Sequence, residues 1–104
     1  MIPTTLQEAV AAVEGVMGNE ERAYLKELDE ELNCDPQRVA TRLHHSLGRF
    51  LRNEWGLWAG GPLATHLREE HGILHPDDMS HFIIVGYLRS KYPSCWEHLL
   101  EGKE

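Results

Sequence analysis

The sequence from Asp35 to Trp58, DPQRVATRLHHSLGRFLRNEWGLW, decides the fold class. It opens on Asp35 and Pro36, an N-cap acceptor followed by the residue best suited to the first position of a helix. The apolar side chains that follow recur at spacings of four, four, three and one residues, which is one stripe at the helical period. These are Val39, Leu43, Leu47, Phe50 and Leu51. The pattern predicts a central helix over about residues 36–54.

Basic side chains occupy the opposite face of this predicted helix and are expected to meet solvent. They are Arg38, Arg42, His45, Arg49 and Arg52. Gly56 ends the pattern, and Trp55 and Trp58 are two large apolar groups beside the turn. Both tryptophans fit a core. If either is exposed beside an arginine, an interface is favoured, because Trp and Arg are the usual anchors of interfaces.

The rest of the chain also predicts helices. Thr4 or Thr5 can cap a first helix, and Asn19 a second. Pro62 starts a short helix for which Gly72 is the C-terminal residue. A final short helix is expected at about residues 94–101.

A buried penultimate helix is predicted at about residues 76–91. Pro76 suits its first position, and Asp77 and Asp78 suit its positive end. Its apolar residues, Phe82 and Tyr87 among them, cover most of the circumference, which is typical of a buried helix. Gly48 in the central helix and Gly86 in this one suggest that the two helices cross closely.

These patterns predict an all-α fold: a compact single domain over residues 1–104. It is a bundle of five to six helices around the central helix and the buried penultimate helix. No stretch alternates with period two, so a sheet is not expected.

The net charge of −7 is distributed unevenly. Residues 1–34 hold eight acids and two bases, whereas residues 35–60 hold four arginines and two acids. An acidic chain is repelled by phosphate backbones, so general nucleic-acid binding is not expected. No signal peptide or membrane span is visible, and Cys34 and Cys95 have no metal-site spacing, so we expect a cytoplasmic protein.

Seven histidines are the compositional oddity of the chain. A metal site, if there is one, would use His75, Asp77, Asp78 and His81, which lie close in sequence. The spacings of helical metal sites are absent, however, and His-Pro-Asp-Asp is foremost a helix start. We therefore expect no metal and no other cofactor, and no catalytic constellation is visible.

Arg52 and Asn53, beside the two tryptophans, have two interpretations. Together they could bind an external carboxylate or phosphate. Alternatively, Arg52 pairs inside the chain with Asp77 or Asp78, which we favour because small domains seldom bury a charge without a partner. The candidate binding residues are Arg49, Arg52, Asn53, Trp55, Trp58, His75, Asp77 and Asp78.

Two motifs, LHHSLGRFLRNEWGLW and HPDDMS, together resemble a family of small bacterial proteins known only as a domain of unknown function. The resemblance runs from about Leu43 to Tyr92. The residues that carry it are His44, Gly48, Arg52, Asn53, Gly56, Leu57, Trp58, His75, Pro76, Asp77, Asp78 and Ser80. It implies a cytoplasmic helical domain with no assigned activity, cofactor or substrate. The first 34 residues lie outside these motifs.

The sequence therefore predicts a non-enzymatic protein that binds another macromolecule by protein–protein contact, of the inhibitor, immunity or adaptor type. A metal-dependent enzyme or metal sensor using the histidine-rich turns is the alternative. A further alternative is nucleic-acid binding through the arginine face. A homo-oligomer is possible.

Overall fold

The computed structural model describes residues 2–32 and 35–91, and this part of the chain is all-α, as predicted. The helices are α1 Leu6–Val16, α2 Asn19–Glu31, α3 Pro36–Arg42, α4 Arg49–Glu54, α5 Pro62–His71 and α6 Pro76–Lys91. A π-helical segment, His44–Gly48, joins α3 to α4 and is called the π turn below. The helix predicted at residues 94–101 lies outside the described residues.

Local sequence signals fix several helix ends. The Thr5 hydroxyl accepts from the Glu8 amide at 3.2 Å, and the Asp35 carboxylate accepts from the amide of Gln37 at 3.1 Å. Gly72 ends α5 with a positive φ of 67°. The prediction for Asn19 is wrong: it lies inside α2, and Gly18, in extended conformation, takes the N-cap position.

The helix α3, the π turn and α4 together form the central segment, residues 36–54, and the π turn changes which of its side chains reach the core. The amide of Gly48 bonds to the carbonyl of Leu43 at 2.9 Å, five residues back, so this turn holds one residue more than an α-helical turn. Each residue of an α-helix advances by about 100°, so everything downstream is rotated by about that angle. Phe50, predicted to be in the core, is 40% exposed, whereas Arg52, predicted to meet solvent, is 5% exposed.

Helix α6 is the element that the others surround, since it packs against α1, α3, the π turn, α4 and α5. Its buried side chains are Met79, Ser80, Ile83, Ile84, Val85, Tyr87 and Leu88. This confirms the predicted buried helix. Phe82 is the exception: its ring is 39% exposed and lies 5.4 Å from the ring of His71, at the rim of the core.

The two helix glycines have different neighbours. A Cβ on Gly48 would lie 3.5 Å from Ser80 Oγ, so Gly48 does allow the central segment to approach α6. A Cβ on Gly86 would instead lie 3.1 Å from a methyl group of Val10 in α1. The prediction that both glycines serve one crossing is therefore wrong for Gly86, because α6 turns that face towards α1.

Candidate functional site

The two sequence motifs meet at Arg52. Its Nε lies 3.4 Å from Asp77 Oδ1, which confirms the predicted pairing and identifies Asp77 as the partner. Its Nη1 donates to Ser80 Oγ at 2.9 Å, and its Nη2 donates to the carbonyl of His44 at 3.0 Å. The guanidinium thus links α4, the π turn and the first turn of α6.

Ser80 completes this junction from inside α6. It is 1% exposed, accepts from Arg52, and donates its own proton to the carbonyl of Asp77 at 3.0 Å. A buried arginine is tolerated only when its charge and donors are satisfied, and here it pairs with a carboxylate and donates to a hydroxyl and a carbonyl. Arg52 therefore has a structural role, and its buried charge is not available to a ligand at the surface.

Two imidazoles flank the Asp77 carboxylate, which is 43% exposed. His44 Nε2 lies 3.9 Å from Oδ1, and His75 Nδ1 lies 3.8 Å from Oδ2. His75 Nδ1 also accepts from the Asp77 amide at 3.1 Å, so this imidazole caps the start of α6. The lone pair of that nitrogen is therefore used within the chain.

The two tryptophans have opposite environments although only two residues lie between them. Trp55 is 5% exposed and belongs to the core, whereas Trp58 is 59% exposed. Gly56 and Gly60, with φ of 68° and 72°, form the turn that carries Trp58, and the buried Leu57 anchors it. This answers the question that the sequence left open: Trp55 lies in the core and Trp58 at the surface.

The exposed indole contacts the start of α6. The rings of Trp58 and His75 meet edge to face, with centroids 5.8 Å apart and planes at 78°. Leu74, next to His75 in the chain, is 73% exposed. We call Trp58, Leu74, His75 and Asp77 the Trp58 surface.

The remaining candidate residues do not converge on one point. Arg49 and Asn53 are exposed, one turn apart on α4. Asp78 and His81 line a separate cavity of about 410 Å³, where His81 Nε2 lies 2.6 Å from Gln37 Oε1. Burial lowers the pKa of His81, an effect that Asp78 opposes and His44 reinforces. Within residues 2–32 and 35–91, no three His, Cys, Asp or Glu side chains are placed to hold a metal ion.

Sequence reasoning missed two contributors to this site. Ser80 was part of a motif but had no assigned partner, although its spacing of three from Asp77 places both on one face of α6. Leu74 carried no signal, because its exposure depends on how the turn before α6 is docked.

A further groove of about 920 Å³ lies between α1, α5 and α6. Its lining includes Leu6 and Val10 on one side and His66 and His71 on another. Ser90, near the end of the described residues, is also part of its wall. None of the helices in the described residues is long and apolar enough to span a membrane.

Comparison with known proteins places the whole described region in one family. The family model for a domain of unknown function, DUF6794, matches residues 2–91. The match includes residues 2–34, which the sequence motifs had left out. No curated protein and no solved structure matches the chain. Because the match covers residues 2–91 of a chain of 104 residues, the chain belongs to the DUF6794 family.

Proposed function

We propose that this protein works without catalysis, as a cytoplasmic inhibitor, immunity or adaptor protein that binds another protein through the Trp58 surface. The observation that carries the proposal is the indole of Trp58, which is 59% exposed and lies against His75 where the two sequence motifs meet. A large apolar ring facing water gains free energy when a partner covers it.

The ring is held in place before any partner arrives. Leu57 and Trp55 anchor its turn in the core, and His75 supports its edge. A side chain that is already ordered loses little conformational entropy on binding, so more of the burial energy appears as affinity. Tryptophans of this kind are the residue type most enriched at interface hot spots.

The other candidate residues take supporting roles in this proposal. Arg52 and Trp55 act from inside by fixing the turn and the start of α6. Asp77, a half-buried carboxylate of the Trp58 surface, suits the polar rim of an interface.

The two alternatives gain no comparable support. The histidine and aspartate set that could bind a metal is divided between the Trp58 surface and the cavity beside Gln37. Arg52 is buried and so is not part of the arginine face. The exposed arginines of that face are Arg38, Arg42 and Arg49, and they are few for nucleic-acid binding by an acidic protein.

Affinity capture from the native host tests the proposal. The bait is the full chain, and Trp58→Ala is compared with Phe82→Ala, a matched control because Phe82 is also an exposed aromatic residue, at 39%. We expect a partner that Trp58→Ala retains at least about tenfold less well, since hot spots contribute about 2 kcal/mol or more. Equal retention by the two variants would remove Trp58 from the interface.

A second measurement identifies which residue touches the partner. A photoreactive phenylalanine analogue is placed at position 58 or, as the control, at position 82. The proposal requires cross-links to one protein from position 58 and none to that protein from position 82. Cross-links to it from both positions, or from position 82 alone, would contradict the proposal.

A further inference from the structure

We propose that a second surface, formed by α2 and the central segment, binds a second copy of this chain. In this dimer Phe50 of each copy enters a groove between α2 and the π turn of the other copy. The inference uses residues away from the Trp58 surface and does not depend on the proposed function.

The groove has a volume of about 270 Å³ and an apolar floor. Its floor residues are Met17, Leu25, Leu43 and Leu47, which are all buried. Its mouth is formed by Glu20, Glu21, Tyr24 and Ser46. Cavities of about 150 Å³ accept benzene, so this groove has room for one aromatic side chain.

Phe50 is the side chain that suits this groove. The π turn rotates it out of the core, and it is 40% exposed. Phe50 follows Ser46, at the mouth of the groove, by four residues, which is about one helical turn. The projecting ring and the groove therefore lie on the same patch of the surface.

This adjacency is what a symmetric dimer requires. A two-fold interface uses the same patch from both copies, so a projection and its complementary groove must both be present on it. If the axis passes between Phe50 and the groove, both rings are buried at once.

Charge complementarity favours a second copy. Glu20 and Glu21 of α2 form part of the mouth of the groove, and Arg42 and Arg49 are exposed on the central segment, one on each side of the π turn. In the dimer the arginines of one copy meet the glutamates of the other, twice. The net charge of −7 on each copy opposes association, so we expect a weak dimer.

Sedimentation velocity of the full chain tests the dimer, at concentrations up to about 1 mM, where even a millimolar Kd is visible. We compare the parent with Phe50→Ser and with Phe82→Ser. The two phenylalanines are 40% and 39% exposed, so the variants remove similar apolar surface. The proposal requires self-association of the parent that Phe50→Ser weakens at least about fivefold and Phe82→Ser leaves unchanged. A monomeric parent, or an equal effect of both variants, overturns it.

A charge exchange tests the orientation of the two copies. One variant carries Arg42→Glu and Arg49→Glu, and the other carries Glu20→Lys and Glu21→Lys. Each variant alone would place like charges together at both contacts between the central segment and α2, so it should be monomeric. Mixed, they restore both contacts and should form a heterodimer.

Circular dichroism of each variant confirms that it is folded before mixing. Because Glu20 and Glu21 favour the start of α2, the pair Glu20→Gln and Glu21→Gln replaces the lysine variant if the latter is unfolded. The glutamine variant should form a heterodimer with the Arg42→Glu, Arg49→Glu variant more readily than that variant associates with itself. Absence of a heterodimer from folded variants overturns the proposal.

Discussion

The inner and the outer side of the central segment use the same residue types in opposite ways. Arg52 and Trp55 are 5% exposed and hold the molecule together, whereas Arg49 is exposed and Trp58 is 59% exposed. The register that the π turn imposes decides which arginine points inward, and the turn at Gly56 and Gly60 carries Trp58 to the surface. The comparison teaches that, in this fold, residue type alone does not indicate whether a side chain stabilises the core or is available to a partner.

The largest effect should come from breaking the inner arginine. Arg52→Met leaves the half-buried Asp77 and the carbonyl of His44 without their donor, so we expect a loss of about 3 kcal/mol in the free energy of unfolding. Urea denaturation measures it. In double-mutant cycles, Arg52→Met should couple to Asp77→Asn, and Asp78→Asn is the matched control. Coupling to Asp78 alone would contradict the junction.

Neighbouring residues on the two sides sharpen the comparison. Leu51 is fully buried, so Leu51→Ala should lower the free energy of unfolding by about 2–5 kcal/mol. Phe50→Ala, one residue earlier, should lower it by less than about 1 kcal/mol because the ring already meets water. Thermal and urea unfolding at low protein concentration check both. The reverse order would place the π-turn register in doubt.

Glycines give a smaller and more specific contrast. A Cβ on Gly48 would lie 3.0 Å from Arg52 Nη1 and 3.4 Å from the carbonyl of Leu43, whereas one on Gly15, in α1, would meet nothing within 4 Å. Gly48→Ala should therefore destabilise by about 1 kcal/mol, since crowding exceeds the gain in helix propensity. Gly15→Ala should stabilise by about 0.5–1 kcal/mol. Melting temperatures that rise for both variants would show that Gly48 is not crowded.

The smallest effect is a dependence on pH at the edge of the core. Because burial lowers the pKa of His81, the unfolded chain takes up this proton at a higher pH than the folded chain does. Stability from this group is therefore complete above the ordinary histidine range and falls as the pH drops through it. The free energy of unfolding of the parent, minus that of His81→Gln, should become smaller from about pH 8 to about pH 5, because only the parent carries the imidazole. A difference that grows would reverse the assigned direction.

Features encoded by neighbouring residues could be predicted from the sequence. Asp35 with Pro36 starts α3, Gly72 ends α5, and the apolar circumference of residues 76–91 identifies a buried helix. The pairing of Arg52 with Asp77 was also accessible, because a charge at a helix end needs a partner of matching geometry.

Features that depend on the π turn could not be predicted in the same way. A period of 3.6 residues, continued through residues 44–48, places Phe50 inward and Arg52 outward, and both assignments are wrong. One extra residue in a turn leaves no periodic signal of its own, and Gly48 was a hint only of close packing. The exposure of Trp58 depends on the docking of the following turn, which no local pattern encodes.

The place of α6 in the chain has a consequence for folding during synthesis. It is the last described helix, yet α1, α3, α4 and α5 pack against it, and the Tyr87 hydroxyl donates to the carboxylate of Glu14 near the other end of the chain. A nascent chain that stops before Pro76 therefore lacks the surface that buries its leucines and valines. Such contacts between distant parts of a chain form late and close large loops. We expect ribosome-bound chains to resist proteolysis only after α6 has emerged from the exit tunnel.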